Sequence, residues 1–388
     1  MRILLDCRPL QKAGLDGERS RLILSAVALL AGEGVDWLLV ADRQLPKEVF
    51  SRLPGRVIVR RALPGRLGWA FWYDRQLPRL VRREGVDMLW LTGGVVAADC
   101  GVPQVCWMPE RADPAGGGGG RQYPSIYRER LPVCLERAAA VCCFSGRDRD
   151  WLTGIRPEAR EKIRVAGAFP DDGIERMTAV EKEGVRVRWT GGKEFLLADL
   201  AGAPEESVMG LLKAFSLFKK RQHTQMRLVL TGTPAGAARL KERLRTYKYR
   251  EDVDWPEGGV DLDRPAEAAD LRSTLAGDAD LRSTLAGAAY AAIFPFEGDG
   301  LGGGLLNVWK AGVPAIVVDG GLLQEMAGGA APDFTPGDPA SLAGQLMRIY
   351  KEEDLRAELI GKGFERLKLY SGENFLKVLR VITEIAAC

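Results

Sequence analysis

One histidine, His223, is all that this 388-residue chain has. A His/Cys metal cluster therefore has almost no material. The seven cysteines are odd in number and none stand at the C-x-x-C spacing. That argues against a disulfide scaffold and against a zinc site. Cys142 and Cys143 lie in the apolar run AAVCCF and read as small buried hydrophobes. Long apolar runs are also missing: none reaches the ~18 residues of a membrane span. The N-terminus, MRILLDCRPL, puts one arginine before an apolar run too short for a signal peptide, and reads as a first β-strand. These absences fit a reducing cytoplasm. No strong net charge exists either, only +3.

What is present is a soluble globular composition, 46% apolar and 28% charged. The length exceeds one ordinary core, so two domains are expected. Charge is uneven: residues 1–168 hold 27 Lys/Arg against 19 Asp/Glu, a balance of +8, and residues 169–388 hold 28 against 33, a balance of −5. A basic half suits an anionic membrane or an anionic acceptor, and compositional scatter is the alternative. Nucleic acid has little support, because the basic balance is modest and lacks interleaved aromatics.

Strand-like and helix-like runs alternate. Arg2–Leu5, Trp37–Ala41, Met88–Leu91, Gln104–Trp107 and Ala140–Phe144 read as strands, with amphipathic runs at Glu18–Ala31, Trp69–Arg83 and Ser125–Ala138. A second set begins at Glu194–Asp199 and continues through Arg227–Thr231, Ala289–Phe294 and Ala315–Val318, with helices around Ser207–Lys220 and Ala235–Tyr247. This βαβ rhythm predicts parallel sheets covered by helices. The polar, Gly-containing stretch 169–192 reads as a linker between domains 1–168 and 193–365. ADLRSTLAG occurs at 269–277 and again at 279–287. A ten-residue shift rotates a helix face by about 80°, so one copy is expected to extend or bulge out. Five consecutive glycines, Gly116–Gly120, read as a mobile loop, either a lid or a slack connector.

The passage Phe294–Pro314, FPFEGDGLGGGLLNVWKAGVP, runs from a strand through a glycine-rich loop into a helix. Bare backbone N–H groups and the positive end of a helix dipole suit a phosphate there. Glu297 at the loop's mouth is a carboxylate placed for sugar hydroxyls. The passage resembles the donor-site signature of retaining family-four-type GT-B glycosyltransferases, E-G-x-G-L-P-x-L-E-A-x-x-x-G-x-P. Glu297, Gly298, Gly300, Leu301, Leu306, Gly312 and Pro314 match, and the second glutamate falls on Asn307 after two extra loop residues. VCCFSGRDRDWLTG with EKIRVAG, LLKAFSLFKKRQ with MRLVLTG, and GDPASLAGQLMRIYKEEDLRAELIGKGFER extend the resemblance over nearly the whole chain.

The resemblance implies an α/β GT-B fold, two Rossmann-like doubly wound domains facing a central cleft, with helix 366–388 crossing back to the first. It implies sugar transfer from a nucleotide-sugar to a glycan or lipid-linked acceptor, with retention and without metal or cofactor. It places Glu297 in a catalytic role. Gly298, Asp299, Gly300, Leu301, Gly302, Gly303 and Gly304 face the donor, Asn307 lies by the ribose, and Arg147, Gly14 and Gly17 approach from the first domain.

Departures from the family pattern are specific. Its cationic pair after the first strand of the second domain falls on Ala201 or Glu205, and then Glu206, where carboxylates would repel a diphosphate. A first helical turn also favours carboxylates. Its histidine position falls on Pro109, and His223 reads as a surface helix C-cap. Lys310 reads as a phosphate contact or a solvated helix residue. Asp148/Asp150 and Asp261/Asp263 match D-x-D without the right strand context, so no metal is assigned. The run GWAFWYDRQLPRLVRR either lies on a membrane surface or packs its aromatics inward with arginines snorkelling. These departures favour an alternative function, a catalytically lapsed homologue acting as a binding or assembly partner. Cytoplasmic location, with peripheral contact at the membrane's inner face, is the expectation.

Overall fold

The computed structural model describes residues 1–13, 17–44, 53–61, 63, 65–108, 125–255, 277–298 and 300–387. The chain divides into two compact α/β units, one holding the described residues up to Phe169 together with those from Ser371, the other holding Pro170–Tyr370.

In the first unit seven strands are β1 (Arg2–Asp6), β2 (Asp36–Ala41), β3 (Arg56–Val59), β4 (Met88–Leu91), β5 (Gln104–Trp107), β6 (Ala140–Cys143) and β7 (Ile163–Val165). They form one parallel sheet in the order β3-β2-β1-β4-β5-β6-β7. Parallel strands covered on both faces need near-continuous apolar sequence, and MLWL, QVCW and AVCC are buried at every position. Large rings fill one layer of this core. Trp37 meets Trp90 at 5.2 Å, Trp90 meets Trp107 at 5.5 Å, and Trp107 meets Phe144 at 5.6 Å between ring centroids. The C-terminal helix Gly372–Ala387 belongs to this unit. It buries Phe375, Leu379 and Ile382, spaced for one helix face, and Arg380 Nε donates to Glu33 at 2.7 Å.

The second unit has β8 (Phe195–Asp199), β9 (Arg227–Thr231), β10 (Val253–Asp254), β11 (Ala291–Phe294), β12 (Ala315–Val318) and β13 (Asp333–Phe334), parallel throughout, in the order β10-β9-β8-β11-β12-β13. Helix Glu205–Gln222 packs Leu211, Leu212, Phe215 and Phe218 into its core. It ends at His223, exposed and left-handed at φ 50°, which is the C-cap expected from sequence.

Residues 169–192 are more than a linker. They carry a helix, Ala179–Thr190, opened by a capping box in which Thr178 and Glu181 exchange hydrogen bonds and closed by left-handed Gly191. The second copy of ADLRSTLAG lies in helix Gly277–Ala288. The first copy up to residue 276, the five glycines 116–120, Gly14, Pro109, Asp261, Asp263 and Asp299 lie outside the described residues.

Candidate functional site

Both sheets reverse their strand order once, between β8 and β11 in the second unit and between β1 and β4 in the first. Ligands of open α/β sheets gather outside the carboxyl ends of strands at such reversals.

At the second unit's reversal, β11 feeds the glycine-rich loop. Gly302, at φ 89°, is the N-cap of helix Gly303–Lys310. The backbone angle calls for glycine, and a Cβ there would stand 2.2 Å from Met326 Sδ, so the end of that side chain would have to shift. Leu301, Leu305 and Leu306 are buried and anchor this helix start, while Gly300 and Gly304 are exposed. Glu297 is exposed, and its Oε1 accepts from the Leu322 backbone N–H at 2.5 Å. The carboxylate lies flat against Gly321: a Cβ on that residue would fall 1.7 Å from Glu297 Oε2. Glu297 thus lies at the start of the short helix Leu322–Ala327, held by a residue 25 positions away.

Asn307 faces elsewhere. Its Nδ2 donates to Asp171 Oδ2 at 2.8 Å, and its Oδ1 accepts from the Asp171 backbone N–H at 2.9 Å. Lys310 Nζ donates to the backbone carbonyls of Asp171 and Asp172, at 2.8 and 3.2 Å. Both polar faces of the Asn307 carboxamide are therefore engaged by one residue. Lys310 is neither free nor merely solvated. Glu205 and Glu206 occupy the first turn of helix Glu205–Gln222, and Arg239 Nη1 meets Glu205 at 3.0 Å. A separate hollow of about 550 Å³ is lined by Lys213, Lys220, Lys248 and Tyr249 and includes none of the loop's residues.

Gly17 and Arg147 belong to the first unit. Gly17 is the exposed N-cap of helix Glu18–Ala31. Arg147 is half-buried in the first turn of helix Gly146–Ile155, whose N-cap Ser145 accepts from the Asp148 N–H at 3.0 Å.

The first unit's reversal holds a polar cluster that sequence reasoning missed. Asp6 ends β1 fully buried, and Trp72 Nε1 donates to its Oδ2 at 3.2 Å. The Tyr73 hydroxyl is buried near this carboxyl but has no hydrogen-bond partner among the described residues. Arg8 is 2% exposed; its guanidinium lies 3.9 Å from the centre of the Trp72 ring, and its Nε donates to Asp42 at 2.8 Å. Its Nη1 is buried and meets no acceptor among the described residues. Burial pushes the Asp6 carboxyl above the usual carboxylate range, and neighbouring Arg8 pulls partly back. The Thr92 hydroxyl, at the end of β4, donates to the Asp6 carbonyl at 2.7 Å. Arg19 reaches the backbone carbonyls of Thr92, Trp107 and Met108, at 2.5, 3.3 and 3.3 Å.

The two aromatics reach this cluster through a π-helical turn, Trp72–Gln76, between helices Gly65–Phe71 and Leu77–Glu84. The wider turn sets consecutive residues Trp72 and Tyr73 both inward. Arg75, Arg79, Arg82 and Arg83 stay exposed. Within this run Trp72 and Tyr73 pack inward, whereas Phe71 is exposed. The signal available in the sequence was a charged pair, Asp6 and Arg8, directly after an apolar strand.

No family model matches the chain, and no curated protein matches it by sequence. Solved structures do. A glycosyltransferase from Rickettsia africae superposes with a TM-score of 0.74 at 13% identity, covering 99% of this chain and 98% of that one. Anabaena HepE, solved with UDP and glucose, gives 0.70 at 14% identity with the same coverage. WaaG, a glycosyltransferase of lipopolysaccharide biosynthesis, gives 0.66 at 13% identity, covering 99% of this chain and 100% of that one. At such identity the likeness establishes the fold, which is GT-B: two Rossmann-like α/β units.

Proposed function

We propose that this chain is a glycosyltransferase that takes a nucleotide-sugar as co-substrate and transfers the sugar, with retention, to a glycan or lipid-linked acceptor. The observation that carries this reading is the glycine-rich loop entering helix Gly303–Lys310 at the second unit's strand-order reversal. Backbone N–H groups and a helix N-terminus there stabilise the charge that develops on a leaving diphosphate. Glu297, already fixed by Leu322, presents a carboxylate toward sugar hydroxyls. Asn307 serves the ribose once Asp171 yields one of its hydrogen bonds. Gly14, Gly17 and Arg147 are the candidate ligand contacts of the first unit, which holds the acceptor. No metal or other cofactor takes part. HepE, of similar fold, was solved with UDP and glucose, which supports a nucleotide-sugar as partner.

A second reading has its own support: a lapsed homologue that binds or assembles with partners. Asp171 occupies both polar faces of Asn307, and carboxylates stand at 205 and 206 where a diphosphate calls for cations. Thermal unfolding of the full chain with nucleoside diphosphates and their hexose conjugates separates the two. Ligand at 100 times its Kd adds about 2.7 kcal/mol of stability, and chelator should leave that gain intact. Binding with turnover, and retained configuration at the transferred anomeric carbon by NMR, supports the enzyme. Absence of a shift with every nucleoside diphosphate overturns both donor binding and the placement of its site.

A further inference from the structure

Eleven large apolar side chains are prominently exposed among the described residues, and four of them, Val59, Leu63, Leu67 and Phe71, fall within thirteen consecutive positions. Single exposed hydrophobes are ordinary on a soluble protein, whereas a cluster marks an interaction surface. Leu67 is 86% exposed and Leu63 60%. They form one feature: a Cβ on Gly68 would stand 1.9 Å from the Leu63 carbonyl oxygen, so the Leu63 backbone lies directly on the helix that carries Leu67 and Phe71. Leu67 and Phe71 are one turn apart on helix Gly65–Phe71 and share its outward side. Val59 ends β3, the edge strand of the sheet.

Charge around these side chains has one sign. Residues 56–83 contain eight arginines and one acidic residue, Asp74, a balance of +7. Asp74 is occupied: Arg130 grips it with two hydrogen bonds, of 2.8 and 2.7 Å. Arg60 and Arg61 flank Leu63 in sequence, and Arg75 follows Phe71 by one turn; all three are exposed. Within these described residues Arg66 pairs with Glu129, and Arg56 and Arg83 with Glu84; Arg60, Arg61 and Arg75 join no ion pair. This one segment supplies most of the +8 of residues 1–168.

We propose that the surface formed by Leu63, Leu67 and Phe71, flanked by Arg60, Arg61 and Arg75, docks on an anionic phospholipid bilayer. The chemistry is that of an interfacial amphipathic element. Apolar side chains enter the boundary between headgroups and acyl chains, and arginines meet lipid phosphates. Among the described residues no helix is long and apolar enough to cross a membrane, so this is surface attachment. The buried Trp72 and Tyr73 hold the element from beneath, leaving Leu67 and Phe71 outward. An acidic protein surface would meet the arginines equally well but gives no reason for prongs as protruding as Leu67.

The test is co-sedimentation of the full chain with vesicles of phosphatidylcholine, with and without phosphatidylglycerol. Binding is expected only with phosphatidylglycerol and should weaken as salt rises. Leu67→Asp/Phe71→Asp should lower the partition coefficient at least about tenfold. Arg60→Gln/Arg61→Gln should lower it about fivefold per arginine. Because the side chains are exposed, unfolding midpoints should stay at the wild-type value, and Leu67→Ser/Phe71→Ser replaces the Asp pair should it misfold. Equal binding to both vesicle types, binding to neither, or binding that survives the Leu67/Phe71 change overturns the proposal. So does self-association in solution that the same change abolishes in a chain that ignores vesicles. None of these outcomes bears on nucleotide binding, so this proposal and the proposed activity stand or fall separately.

Discussion

The two strand-order reversals solve the same topological problem with opposite chemistry. In the first unit the space is filled: Asp6, Arg8, Trp72 and Tyr73 are all buried, Trp72 donates to Asp6, and Arg8 rests on the Trp72 ring. In the second it is lined with glycine and closed by one exposed carboxylate resting on Gly321. Two buried polar atoms of the first cluster, Arg8 Nη1 and the Tyr73 hydroxyl oxygen, meet no hydrogen-bond partner among the described residues. At the second unit's helix start Leu301, Gly302 and Gly303 are buried, and Gly300 and Gly304 are exposed. The first unit's reversal is thus occupied by buried side chains, and the second keeps a glycine-lined, partly exposed helix start.

The sharpest way to break this contrast is Arg8→Ala. It strips the cation from beside the buried Asp6 and the partly covered Asp42. Breaking such a pair costs about 3–5 kcal/mol, read as a fall in urea midpoint. The pH dependence has a definite sign. Asp6 titrates above its unfolded value in the folded chain. Its contribution to stability is therefore full below the ordinary carboxylate range and is lost as pH rises through the raised value. Without Arg8 that value rises further, so the variant's deficit should grow from acid toward neutral pH. A deficit that is flat with pH would mean that Asp6 does not sense Arg8.

Gly302→Ala attacks the other reversal. The left-handed backbone and the approach of Met326 predict a cost of about 2–4 kcal/mol. Nucleoside diphosphate binding should fall with it, because the helix start moves. If stability drops and binding does not, the loop is scaffold and the donor site lies elsewhere.

Much of this contrast was out of sight in the sequence. Met88–Leu91, Gln104–Trp107, Arg227–Thr231 and Ala315–Val318 are strands with the boundaries read from their apolar runs. Buried parallel strands announce themselves by composition alone. Arg56–Val59 was missed because a four-residue edge strand is half-exposed and carries no continuous apolar run. Helix Ala179–Thr190 was missed because it buries only Trp189 and Thr190, leaves Val180 and Val187 exposed, and so has no core-facing apolar stripe, while its start depends on a capping box. The glycine-rich loop was legible because its meaning is local. The Asp6 cluster was not, since Trp72 lies 66 residues from Asp6 and only the closed sheet brings them together. Asn307 shows the same limit: position suggested a ribose contact, while its hydrogen bonds go to Asp171, 136 residues earlier.

Asn307→Glu sharpens that last point. A carboxylate in its place can still accept from the Asp171 N–H but loses the bond donated to the Asp171 carboxylate and faces that carboxylate instead, costing about 1–3 kcal/mol of stability. The same change restores the carboxylate of the resembled family. If the site still serves a nucleotide, affinity for a nucleoside diphosphate should rise although the fold weakens. Loss of both would mark the Asp171 clasp as purely structural.

The smallest effect is expected at Arg239. Its ion pair with Glu205 spans 3.0 Å, but the side chains are 75% and 41% exposed. Water and salt screen such a pair, which is worth about 0–1 kcal/mol. Glu205 also sits in the first turn of an 18-residue helix, where the dipole favours a carboxylate by a further ~0.3–1 kcal/mol without any partner. Arg239→Ala should therefore lower stability by less than about 1 kcal/mol, and by less again in high salt. Glu205→Arg/Glu206→Lys works through charge on a ligand instead of through the fold. It should tighten nucleoside diphosphate binding about 10- to 150-fold if a diphosphate approaches this helix start. Parallel titrations of wild type and both variants decide it. A swap that leaves affinity unchanged while Arg239→Ala costs more than about 2 kcal/mol would mean that Glu205 is a desolvated structural anchor. The openness assigned to the second reversal would then be wrong at this edge.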